Sequence, residues 1–224
     1  MSRRKPKRNS AKNPAAPVSR QKRWAFRLAA LAGVPLLLFG LLELGLRLGG
    51  VGYSTAFLLA SSNHGEKTFV QNNQFGWRFF GPRAARQPEA ASIPRAKPRD
   101  TIRIFVFGES AAYGDPQPRF GLPRMLSALL NLRHPDRKFE VINAAMTGIN
   151  SHVVLPLARS CAKAHGDVWV IYMGNNEVVG PFGAGTVFGG QTTPLPLIRG
   201  GLALKTTRTG QLLDALRGTA LGRA

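Results

Sequence analysis

TIRIFVFGES, residues 101–110, is the stretch on which the reading of this chain turns. Thr101–Phe107 is a continuous β-branched and aromatic run, the composition of a strand buried on both faces. It passes directly into Gly108, Glu109 and Ser110, the arrangement by which α/β enzymes present a nucleophile at a strand's carboxyl end. Outward from it, Leu122, Met125, Leu126, Leu129 and Leu130 repeat at helical spacing, with Pro123 suited to the first turn. Phe139–Asn143 reads as a second strand, Ile149 to about His165 as a second helix, and Val168–Met173 as a third strand. Such alternation implies an α/β fold with a parallel sheet covered by helices, and ligands bind such sheets beyond the carboxyl ends of the strands.

All three strands end in small or amide-bearing residues: Ser110 after the first, Asn143 to Gly148 after the second, Gly174 to Glu177 after the third. A serine hydroxyl attacks only when a base takes its proton, and the oxyanion formed needs preorganised donors. Gly148 can bring a bare N–H close to a ligand, Asn176 can offer a side-chain amide, and the Ser110 N–H completes a three-donor set. Taken singly, each residue has an ordinary role: serine caps helices, glycine makes turns, asparagine populates loops. The weight lies in their succession after three strands.

The blocks FGES, NAAMTG and GNNE together resemble the SGNH hydrolases, also called GDSL-type esterases and lipases. The resemblance implies a three-layer, flavodoxin-like parallel sheet, with Ser110 as nucleophile and Gly148 and Asn176 in the oxyanion hole. Glu109 stands where the first block usually has aspartate, and Glu177 replaces the acid of the third. The match covers roughly residues 101–185. The longer string GNNEVVGPFG is similar to a membrane-anchored bacterial subgroup. The family's fourth block, Asp-x-x-His, supplies the base and its orienting acid, and it has no counterpart here. The histidines stand at positions 64, 134, 152 and 165, all before the third block. The expectation is therefore a sheet that is incomplete in this chain and a site of little activity.

The formal charge is +20, yet ten of the 31 basic residues lie in the first 27 positions, where no acid occurs. They are Arg3, Arg4, Lys5, Lys7, Arg8, Lys12, Arg20, Lys22, Arg23 and Arg27. An apolar stretch follows, uncharged from Leu28 to Leu42, close to the roughly 20 residues that span a bilayer. It is longer than a signal-peptide core and ends in Glu43 and Arg47, so an uncleaved anchor is expected. The basic flank then places the amino terminus in the cytoplasm and the remainder outside. A nucleic-acid arm would leave the apolar stretch unexplained, so nucleic acid is not an expected partner.

The expected organisation is a basic tail over 1–27, an anchor over 28–48, a stalk or lead-in over 49–100, the hydrolase-like domain over 101–185, and a loop with a weak helix over 186–224. Pro82, Pro88, Pro94 and Pro98 break regular structure in the lead-in. Gly183-x-Gly185 lacks the context of a phosphate loop and reads as a turn. Cys161, the only cysteine, excludes an intrachain disulfide and a cysteine-rich metal site, and is expected on the buried face of a helix. No cofactor or metal is expected. The expected partners are the lipid bilayer and an ester-bearing small molecule, lipid or glycan, with a non-catalytic anchored binding domain as the alternative.

Overall fold

The computed structural model describes residues 19–186 and 193–220. The chain divides into two compact units, residues 1–45 and 46–224. Helix α1 (Arg20–Leu48) contains the expected anchor stretch, and it is long and apolar enough to cross a membrane. None of its side chains is buried. Arg20, Lys22, Arg23 and Arg27 lie in its amino-terminal turns, whereas Arg3, Arg4, Lys5, Lys7, Arg8 and Lys12 fall outside the described residues.

In the second unit, the segment expected as a stalk or lead-in contributes to the core instead. It forms an antiparallel sheet of β1 (Leu58–Asn63), β2 (Glu66–Gln71) and β3 (Ser92–Pro94), in that order, with the short helix α2 (Trp77–Phe80) between the last two strands. His64 and Gly65 make the β1–β2 turn with φ of 48° and 83°, the positive values whose twist matches that of the flanking strands. The prolines do keep 81–99 free of any long element. What the local pattern missed is the fate of the apolar side chains: Phe57, Phe69, Phe75, Phe79 and Ile93 are buried in one cluster with Phe105, Phe107 and Met146. Their partners lie far along the chain, so no local periodicity marks them.

The α/β part follows the expected order. Strand β4 (Thr101–Gly108) leads into the short helix α3 (Ser110–Tyr113), a 3-10 turn at Pro118–Phe120, and α4 (Leu122–Arg133). Then come β5 (Lys138–Asn143), α5 (Ser151–Cys161), a 3-10 turn at Ala162–Ala164, and β6 (Val168–Tyr172). The three strands form a parallel sheet in the order β5-β4-β6, with Ile104 opposite Val141 on one side and Val168 on the other. From β4 the chain moves to one neighbour, then crosses back to the other. That reversal opens a crevice beyond the carboxyl ends of β4 and β6.

Two expectations about packing change. The helix after β5 is shorter than Ile149 to His165, beginning only after Asn150. The apolar stripe of α4 is not a buried face: Leu122, Met125 and Leu129 are exposed, and Leu126 and Leu130 are half-buried. Helix α4 packs on β5, which is an edge strand of the three-stranded parallel sheet. Strand β6 is the opposite edge, and Val168, Trp169, Ile171 and Tyr172 are all exposed there.

The loop and weak helix expected over 186–224 contain two helices, α6 (Leu195–Leu204) and α7 (Arg208–Ala220). Gly183-x-Gly185 is a turn, with the Gly183 N–H on the Gly180 carbonyl and the Gly185 N–H on that of Val178. Gly189 and Gly190 fall outside the described residues. Cys161 is buried in α5 as expected, and burial pushes its thiol well above the usual range.

The two sheets are joined by Arg103, whose side chain is fully buried in the middle of β4. Its guanidinium donates to Glu140 on β5 (2.6 Å), to the Pro94 carbonyl of β3 (3.0 Å) and to the Ala164 carbonyl. A buried cation is tolerated only with such partners, so Arg103 requires all three segments to be in place. Gln71 adds a second tie, donating through Nε2 to the Asn143 carbonyl (2.9 Å).

Candidate active site

Glu109 and Ser110 follow β4, and Gly174 to Glu177 follow its neighbour β6, so the fold brings these two segments to the crevice where the strand order reverses. Glu109 is buried to 1 % exposure, and its carboxylate accepts the N–H groups of Gly174 (3.2 Å) and Asn176 (3.1 and 3.2 Å). A carboxylate buried there is stabilised by charge-assisted bonds to two backbone donors. It pins the loop after β6 against the end of β4. Gly108, immediately before, has no room for a side chain, since an added Cβ would lie 2.1 Å from the Tyr172 carbonyl oxygen.

The third segment arrives through Asn176. Its side-chain Nδ2 donates to the Ile149 carbonyl (3.1 Å), next to Gly148. An amide nitrogen carries two hydrogens, so one remains for a ligand. Asn176 is half-buried whereas Asn175 is exposed. Gly148 adopts φ +78°, a left-handed conformation that disfavours any side chain although space for one exists. The loop that precedes it is anchored by Met146 N–H on the Gly108 carbonyl (3.1 Å). Ser110, Gly148 and Asn176 therefore lie on three segments stitched to one another within one residue of each side chain of interest.

Among the described residues, neither the Ser110 N–H nor the Gly148 N–H donates to a protein acceptor, and the Ser110 hydroxyl makes no hydrogen bond. Chemically the arrangement offers a half-buried hydroxyl, two backbone donors and an amide donor. Among the described residues, no side chain hydrogen-bonds the Ser110 hydroxyl as a base would. His152 packs edge-on against Phe182 (5.5 Å between centroids), and His134 lies against Phe139 (6.1 Å). His64 is in the β1–β2 turn, and His165 in the turn before β6.

No family model, characterised protein or solved structure matches this chain.

Two residues of the site have roles that their sequence positions did not reveal. Glu177 accepts the Ser151 N–H and the Ser151 hydroxyl, both at 2.8 Å, and so caps the amino terminus of α5 with a negative charge, a favourable placement. Asn143 donates to Glu89 (2.9 Å) and to the Tyr113 carbonyl (3.1 Å), tying the end of β5 to the end of α3. The contacts span 26, 54 and 30 residues, too far for local spacing to signal. Three clefts, of about 540, 420 and 240 Å³, have no wall in Ser110, Gly148 or Asn176. Among the described residues, no three His, Cys, Asp or Glu side chains come together in a way that would hold a metal.

Proposed function

We propose that this chain is a membrane-anchored SGNH-type hydrolase whose Ser110 attacks acyl or acetyl esters of lipids or glycans. The observation that carries the reading is the pair of bonds from the Asn176 N–H to the Glu109 carboxylate and from Asn176 Nδ2 to the Ile149 carbonyl. They gather the serine, the glycine and the asparagine at the reversal point of a parallel sheet. The β5-β4-β6 order supports a three-layer, flavodoxin-like arrangement around it. Helix α1 with its basic amino-terminal turns supports a single-pass anchor with a cytoplasmic amino terminus.

In this mechanism the Ser110 oxygen adds to the ester carbonyl, and the carbonyl oxygen becomes an oxyanion held by the Ser110 and Gly148 N–H groups and the free Asn176 amide hydrogen. The intermediate collapses with loss of the alcohol, leaving an acyl serine that water hydrolyses. Both steps need a proton acceptor, which no described side chain provides at Ser110. Hydrolysis by the chain itself is therefore slow, resting on the oxyanion donors and binding alone.

The test is p-nitrophenyl acetate hydrolysis by the full chain in detergent, with imidazole added to stand in for the missing base. The expected result is an imidazole-stimulated rate that Ser110→Ala removes and Asn176→Ala lowers about 10²–10³-fold. A rate indifferent to Ser110→Ala would overturn the reading. The alternative is an anchored domain that binds esters without turnover, and the unpartnered Ser110 hydroxyl favours it. It predicts saturable ester binding and no Ser110-dependent rate even with imidazole.

A further inference from the structure

At the amino ends of the parallel strands, away from Ser110, lies a cleft of about 420 Å³. Three separate segments supply its charge: Lys67 on β2, Arg95 just after β3, and Lys163 in the 3-10 turn that follows α5. His165 adds ring nitrogens from the next turn, where φ is +52°. Glu66 is the one carboxylate on the wall.

The cations are crowded by the fold itself. The Arg95 N–H donates to the Lys67 carbonyl (3.0 Å), so the two positively charged residues are cross-strand neighbours, a pairing that destabilises a sheet. Among the described residues none of Lys67, Arg95 and Lys163 has an ion-pair partner. The nearby Lys97 and Arg103 do, with Asp167 and Glu140. The Arg95 guanidinium also lies over the ring of Phe69, 5.2 Å from its centroid, and Phe69 is buried in the core. That stacking holds the fork in place before any ligand arrives.

We infer that this cleft is a binding site for a phosphate group, gripped by Arg95 with Lys67 and Lys163 around it. The guanidinium fork matches phosphate oxygens two at a time, and the lysines supply point charge. The volume suits a small headgroup rather than a polymer. Bound phosphate relieves the repulsion that the unliganded cleft carries. The site is independent of the chemistry at Ser110, so it stands whether or not that serine is a nucleophile.

The phosphate can come from free phosphate or from a lipid headgroup, and two probes separate them. Calorimetric titration of the full chain in non-ionic detergent with inorganic phosphate is expected to give saturable one-to-one binding. Arg95→Ala and Lys163→Ala weaken it at least tenfold, and Arg119→Ala, an exposed cation on the opposite end of the sheet, leaves it unchanged. Competition by glycerophosphoglycerol, a deacylated lipid headgroup, assigns the site to a lipid phosphodiester; phosphate binding without that competition assigns it to free phosphate. Thermal melting gives a second readout. Lys67→Gln raises the melting temperature in phosphate-free buffer, and added phosphate raises that of the wild type more than that of the variant. Absence of saturable phosphate binding, or binding untouched by the Arg95→Ala/Lys163→Ala double substitution, overturns the inference.

Discussion

Glu109 shows how one buried side chain can hold two segments of the fold together. Its carboxylate is the acceptor for two backbone N–H groups of the loop after β6, and both donors are orphaned if it is removed. Glu109→Ala is expected to cost about 1.5–3 kcal/mol of stability, the range for hydrogen bonds to a charged group. Urea unfolding of the full chain in detergent measures this, and an unchanged midpoint would show that water replaces the carboxylate freely. Asp167 makes a different kind of prediction. The Lys97 ammonium, at 2.5 Å, and the Arg103 N–H hold its carboxyl below the usual aspartate range. A lowered folded-state value means that its stabilisation is complete above the unfolded value, about 3.9, and is lost as pH falls through the folded value. Asp167→Asn should therefore flatten the decline of melting temperature below about pH 4. Identical acid limbs in variant and wild type would discount the Lys97 pairing.

Among the elements, the antiparallel sheet of residues 58–94 has the most consequence, because it lends its aromatic rings to the core of the α/β part. Phe75 is fully buried between Phe57 and Phe79, at 5.2 and 5.7 Å between ring centroids. Phe75→Ala is expected to destabilise the whole second unit by roughly 3–5 kcal/mol. Its melt, followed by circular dichroism at strand and helix wavelengths, should shift as one transition. Were the segment an independent stalk, the α/β transition would stay where it is. The sequence displayed the rings but not their destination, since ties such as that from Gln71 to the Asn143 carbonyl, 72 residues away, form only when the two sheets pack. By contrast, β4, β5 and β6 were legible to within a residue or so, because each is a compact apolar run bounded by polar or small residues.

At the scale of the molecule, the second unit leaves apolar surface on both flanks of its parallel sheet: the outer stripe of α4 beside β5, and both faces of β6. A strand with an open edge and exposed Trp169 and Ile171 is a template for pairing with another chain. Detergent-solubilised protein should therefore self-associate with increasing concentration. Ile171→Lys, which charges that edge, should reduce the light scattering, and equal scattering by the variant would place the association elsewhere. By itself the sequence determined the apolar helix, the alternation of strands and helices, and the positions of Ser110, Gly148 and Asn176, because each depends on composition or on spacing along a few residues. Only the tertiary structure decided that Glu109 and Asn176 hold those positions together, that residues 58–94 belong to the core, and that Lys67, Arg95 and Lys163 share one cleft. Each of those facts is a contact between distant parts of the chain, set by how the sheets pack rather than by any local preference.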